Sequence, residues 1–268
     1  MIQAIGGFLT RRFFLTFSHL TMAPSHGPAP KGIVLQRGVS PLDGSPFVVV
    51  LTTKSGNRKT GDMCQVWILR EDQDPVAAIA SGADFTVCGN CPHRKQADGS
   101  RSCYVNVGQA PLSVWRTYKR GGYVDSPSAE LLASVLRGRR IRWGAYGDPS
   151  IISPDVVALC NEHADGWTGY THQWRQPFAQ WCRGTFQASC DGFADYLAAS
   201  DAGWRTFAVV PKNGAAFSGK QCPATVAGSE ATCRTCSLCD GGKADIWVEA
   251  HGAGAKHFNG MTAALVSQ

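Results

Sequence analysis

The stretch FTVCGNCPHRKQADGSRSCY, residues 85–104, carries three thiols in one loop. A short β-like run, Asp84 to Val87, leads into Cys88. Cys91 follows after two residues, and Cys103 closes a polar, basic loop. Three thiols off the end of a strand are the donors that a soft metal ion or an iron–sulfur cluster needs. A second group lies far downstream at Cys222, Cys233, Cys236 and Cys239.

Most of the chain between the two groups reads as alternating strands and helices. Pro46–Thr52 (PFVVVLT) and Cys64–Leu69 (CQVWIL) are β-branched or apolar runs, expected to pair ahead of the main sheet. The polar turn between them holds Lys54, Asn57, Lys59 and Thr60. Helices are expected near Pro75, over Pro111–Arg120, and over Ser128–Leu136 with a serine cap. Strands at Arg140–Gly144, Gly166–Thr171, Thr185–Ser189, Arg205–Val210 and Asp245–Ala250 alternate with helices at Pro154–His163, His172–Trp181 and Phe193–Ala199. With Asp84–Val87 that makes six strands. Alternating β and α argues for a parallel sheet with covering helices. The expected fold is α/β: a partial, six-stranded parallel βα barrel with an N-terminal β extension and a C-terminal cysteine-rich, metal-binding insertion. A doubly wound sheet fits the same alternation. No G-x-G-x-x-G follows a strand and no G-x4-G-K-[ST] occurs, which argues against the common nucleotide-binding loops.

Composition sets wider bounds. The chain has 268 residues, 44% hydrophobic and 17% charged, with a net charge of +6. That mild basicity permits an acidic ligand or nucleic acid without requiring one. The eleven cysteines are odd in number and seven fall in the two groups. C-x2-C spacing in a large α/β chain points to metal rather than disulfides, and so to a reducing, cytoplasmic setting. No run of about twenty apolar residues predicts a membrane span. The opening, MIQAIGGFLTRRFFLTFSHL, reads as a leader ahead of a working start at Met22. Residues 1–45 are taken as leader and flexible lead-in, and residues 46–268 as one domain.

The downstream group gives C-x10-C-x2-C-x2-C. C-x2-C-x2-C with a remote fourth cysteine suits a [4Fe–4S] cluster, and four thiolates also suit tetrahedral zinc. The upstream group supplies only three thiols. Three thiolates on a four-iron cluster leave one iron open for chemistry. Zinc there would recruit His93, and Arg94, Lys95 and Arg101 would then form a phosphate-contacting patch. Other polar residues fall at strand ends, where barrel enzymes carry their chemistry: Asp148, Thr171, His172, Asp191, Lys212, Asn213, Glu249 and His251. Asp148 and Asp191 are equally placed to cap helices. Cys64, Cys160, Cys182 and Cys190 stand apart, and Cys160 reads as core.

Several stretches in this order resemble the radical S-adenosylmethionine superfamily, and more closely phage-encoded, cysteine-rich proteins of unknown function with a radical-SAM-like core. They are NRKTGDMCQVWIL, the cysteine loop closing at Cys103-Tyr104, RIRWGAYGDPSIIS, and CPATVAGSEATCRTCSLCDG running into DIWVEAHG. The resemblance covers roughly residues 50–255. It implies a site cluster on Cys88, Cys91 and Cys103 that binds S-adenosylmethionine, and an auxiliary cluster on Cys222, Cys233, Cys236 and Cys239. Tyr104, Gly144 and Asp148 would bind the cofactor, and Asp148, Glu249 and His251 would line the catalytic mouth. The spacing here is C-x2-C-x11-C, where that family uses C-x3-C-x2-C. The function expected is a modifying enzyme acting on a nucleotide or nucleic acid. The alternative is a non-enzymatic zinc protein that contacts nucleic acid or a protein partner.

Overall fold

The computed structural model describes residues 29–212, 218–252 and 254–258. Three strands come first: β1 (Gly32–Val39), β2 (Pro46–Thr52) and β3 (Cys64–Arg70). Four helices follow, α1 (Pro75–Ser81), α2 (Phe85–Cys88), α3 (Ala110–Lys119) and α4 (Ala129–Leu136). Strands then return with β4 (Ile141–Tyr146), α5 (Pro154–His163), β5 (Trp167–Thr168), β6 (Tyr170–Thr171) and β7 (Gln187–Cys190). The chain continues through α6 (Phe193–Asp201), β8 (Thr206–Val210), β9 (Lys220–Gln221), α7 (Cys233–Cys236) and β10 (Ile246–Glu249).

The strands form two five-stranded sheets, ordered β1-β2-β3-β4-β5 and β6-β7-β8-β10-β9. In the first, β1, β2 and β3 pair antiparallel, while β3, β4 and β5 pair parallel. The second is parallel throughout. Only Gly169 separates β5 from β6, and its carbonyl accepts from Gln187 N at 3.0 Å. Mixed α/β architecture with a parallel sheet is thus as expected from the alternation.

Local chemistry explains most elements. Every residue of β2 after Pro46 is buried, so its β-branched run is continuous rather than alternating, as a strand covered on both faces requires. Asp74 caps α1 by accepting from Val76 N and Ala77 N, and Pro75 sits in the first turn, where its missing N–H costs nothing. Ser128 caps α4 through Leu131 N.

Three expectations are corrected. Asp84–Val87 is not a strand. Cys88 N bonds Asp84 O at 2.9 Å and Gly89 N bonds Phe85 O at 2.8 Å, closing the turn that is α2. The short FTV run carries no periodicity to choose between the two states. The first strand in parallel pairing is β3, not residues 84–87. The stretch to residue 45, read as lead-in, contains β1, whose Ile33 and Val34 are core. The leader and the Met22 start lie outside the described residues, as does Asn213. Finally, β9 was not anticipated, being two residues long. Among the described residues no helix is long and apolar enough to cross a membrane.

Gly169 packs against the fully buried Phe186: a Cβ there would lie 2.4 Å from the ring. Gly169→Ala should therefore cost about 1–3 kcal/mol of stability by overpacking, measured by urea denaturation. An unchanged midpoint would mean that the ring has room to move.

Candidate functional site

Successive side chains on a strand point to opposite faces. On β4, Arg142, Gly144 and Tyr146 share one face, and this face lines a cavity of about 270 Å³. Tyr170 of β6, Ser189 of β7, Phe207 and Val209 of β8, and Val248 of β10 line the same space. Five parallel strands drawn from both sheets thus turn one face to one chamber. The opposite face of β4 buries Trp143 against Phe186, with ring centroids 6.2 Å apart.

Both cysteine groups reach this chamber. Cys88, Cys91 and Cys103 line one part, and Cys222 and Cys233 another. The eleven residues between Cys91 and Cys103 fold back on themselves. Gln96 N bonds Ser100 O at 2.8 Å, and Cys103 N bonds His93 O at 3.0 Å, so Cys103 returns beside the first two thiols. Burial pushes the Cys88 thiol well up, with Cys91 and Cys103 among the charges that add to it. Cys103 is raised mainly by burial as well.

The four downstream cysteines line a second, small cavity of about 20 Å³ together with Tyr170. Thr232 and Thr235 cap each other's backbone at the start of α7. The polar turn after β2 braces this segment: Cys233 N bonds Lys59 O at 2.9 Å and Arg234 N bonds Thr60 O at 3.1 Å. Cys239 O accepts from Gly169 N at 3.1 Å. Burial raises Cys222, Cys233 and Cys239. All eleven cysteines are free thiols.

Beside Cys91 lies a network that the sequence alone did not assemble. Asp191 accepts from His93 Nε2 at 2.7 Å and from His172 Nε2 at 3.1 Å, one imidazole on each oxygen. His93 Nδ1 meets Ser102 Oγ at 2.8 Å, and His172 Nε2 lies 4.0 Å from Cys91 Sγ. Burial works against the Asp191 carboxylate, yet the two imidazoles hold it far below the usual carboxylate range. Burial likewise pulls His172 down, but Cys91 and Asp191 outweigh it and hold the imidazolium well above its ordinary range. Cys91 and Asp191 both meet Nε2 of His172, so this is no relay of the nucleophile–imidazole–carboxylate kind, which needs both ring nitrogens. His93, Asp191 and His172 are the one group of three or more possible ligands among the described residues whose ligand atoms all lie within 4.8 Å.

The remaining expected residues sort as follows. Tyr104, Gly144, Asp148 and His251 line the chamber. Gly144 has φ +69°, and a Cβ on it would sit 2.9 Å from Gly147 O, so the turn at the end of β4 needs glycine there. Asp148 is 6% exposed. Its carboxylate accepts from Ser150 N at 3.0 Å and His172 N at 2.8 Å, the capping role combined with a tie between β4 and β6. Glu249 is corrected: it sits on β10 between Val248 and Ala250, which line the chamber, so strand alternation turns it to the other face. The phosphate patch is corrected too. Arg94 is spent on buried Asp84 at 2.6 Å and on the Gly82 and Gly89 carbonyls, and Arg101 on the Cys103 and Val105 carbonyls. His93 has both ring nitrogens engaged by Ser102 and Asp191 rather than by a site shared with the three cysteines. Arg142 and Tyr170 were missed as cavity residues. The period-two placement of Arg142, Gly144 and Tyr146 in RIRWGAY is the signal that could have found the first.

No family model, no curated protein and no solved structure matches the chain.

Asp191→Asn would leave two neighbouring imidazoles without their shared carboxylate. It should cost about 1–3 kcal/mol in urea denaturation. Asp62→Asn, at an ion pair whose carboxylate is 62% exposed, should cost at most about 1 kcal/mol. Equal losses would deny the buried network its structural weight.

Proposed function

We propose that the chain is an iron–sulfur protein built on a radical-SAM-like partial barrel, a modifying enzyme for a nucleotide or nucleic acid. One observation carries this: cysteines of both groups line the same chamber. The donor sets suit the groups. Three thiols upstream leave a cluster one position short, and four downstream close one. Tetrahedral zinc, at a Zn–S length of about 2.3 Å, would hold its sulfurs about 3.8 Å apart. No three cysteine sulfurs among the described residues lie within 4.8 Å of one another. The partial barrel is supported by five parallel strands facing one chamber and by the single residue between β5 and β6.

When bound, a cluster with one open iron supplies one-electron chemistry to S-adenosylmethionine. The chain's own part is positional. The fold-back at Cys103 brings three thiols to the chamber wall. The Gly144 turn and Asp148, fixed by two backbone amides, shape the wall beside them. Val209, Val248, Phe207 and Phe258 give the chamber apolar surface. Asp191 fixes both imidazoles, one on each oxygen, and sets His172 next to Cys91. Free thiols throughout accord with a reducing compartment, and a cytoplasmic location is part of the proposal.

Zinc has one observation on its side. His93, His172 and Asp191 have the close spacing that a single ion requires, with two imidazoles and a carboxylate as donors. An ion held there would lie beside Cys91 rather than inside either cysteine group.

The test is metal analysis with a visible spectrum on protein purified without oxygen. About eight irons per chain and a brown colour are expected for two four-iron clusters. Cys88→Ser with Cys91→Ser should remove about half of the iron, and Cys233→Ser with Cys236→Ser the other half. Colourless protein carrying about one zinc that is lost in Asp191→Asn would replace this proposal with the zinc site.

A further inference from the structure

Arg142 stands between the two cysteine groups without a carboxylate. Arg94 pairs with Asp84 at 2.6 Å, Arg70 with Asp72 at 2.8 Å, and Arg205 with Asp245 at 3.0 Å, while Arg101 and Arg183 bond backbone carbonyls. Arg142 instead bonds the Tyr104 hydroxyl and lies 5.9 Å from the centroid of that ring. Among the described residues no carboxylate comes within ion-pair distance of it. Its strand position turns it into the chamber. Arg142 is half-buried, and a guanidinium partly withdrawn from water gains from an anion or several acceptors. Tyr104 provides one oxygen.

The surroundings narrow the choice of anion. Lys59 lines the same cavity from the polar turn, and Cys233 N is bonded to its carbonyl, which brings a second cation to this wall. Tyr104, Tyr170 and Phe207 offer flat rings, with the Tyr170 and Phe207 centroids 4.2 Å apart. A planar fork beside a point charge fits a phosphate, and rings fit a base. The chamber has room for one small ligand, not for a duplex.

We propose that Arg142, with Lys59, anchors the phosphate of a single nucleotide whose base lies on the aromatic wall of Tyr104, Tyr170 and Phe207. This rests on the proposed function only in taking this chamber as the reaction space. A rival role exists for the same guanidinium: Cys233 lies within its electrostatic reach, so it could serve solely as counter-charge to the downstream thiolates.

Binding of the four ribonucleoside monophosphates and of their nucleosides, measured by calorimetry on anaerobically purified protein, separates the two. At least one monophosphate should bind about tenfold or more tighter than its nucleoside, the scale of a charge-assisted pair. Arg142→Met should erase that preference, Arg142→Lys should keep part of it, and iron content should stay as in the parent. A nucleoside that binds as well as its monophosphate overturns the proposal. So does Arg142→Met that keeps the preference but loses iron, which would assign Arg142 to the thiolates. Should Arg142→Met fail to fold, Lys59→Met and competition by inorganic phosphate carry the test: monophosphate binding that is not weakened by Lys59→Met and not displaced by phosphate overturns the proposal. Iron analysis reports separately on the clusters, so a colourless protein that keeps the phosphate preference sinks the proposed function and leaves this site standing.

Discussion

Parallel pairing across this molecule runs through one residue that has no side chain. Gly169 sits between β5 and β6, with its carbonyl on Gln187 N and its N–H on Cys239 O. Phe186 occupies the place where a Cβ would be. Both backbone polar groups are therefore committed, one to the next strand and one to the downstream cysteine segment. A strand must break there to serve both sheets, and a larger residue would push Phe186 into Trp143 and Trp181, which pack around it. The inward faces of β4, β6, β7, β8 and β10 come to bear on one chamber because this junction holds the two sheets and the cysteine segment together.

Five thiols of the two groups are costly to ionise. Burial raises Cys88, Cys103, Cys222, Cys233 and Cys239. Any soft metal bound there must displace their protons, so its affinity grows with pH and loading releases acid. The same desolvation makes the metal-bound thiolates strong partners once formed, because little water competes for them.

Much of this was legible in the residues, for local reasons. β2, β8 and β10 are apolar, β-branched runs, and α1, α4 and α5 begin at Asp74, Ser128 and Pro154, which cap or open helices in any context. The cysteine groups were legible because spacing alone brings C-x2-C pairs together. What escaped depends on contacts distant in sequence. Glu249 was placed in the mouth, but the phase of β10 is set by its pairing with β8, which nothing within DIWVEA reveals. Arg94 and Arg101 read as a phosphate patch because their acceptors, Asp84 and a set of carbonyls, are defined only once the loop has folded. Asp191 reads equally as a strand-end site residue and as a helix cap. Its bonds to His93 and His172 join three elements and appear in no single window of sequence.

The brace between the early polar turn and α7 has a kinetic consequence. Arg234 reaches Asp62 O at 3.2 Å across 172 residues of chain, and Lys59 and Thr60 bond the backbone beside it. Contacts of such sequence separation form late, because loop-closure entropy must be met first. On the ribosome the upstream thiols emerge and can fold with their own loop well before Cys233 exists. The wall that holds Cys222 and Cys233 is thus the last to be set. Until then the chamber stays open to solvent on that side during synthesis.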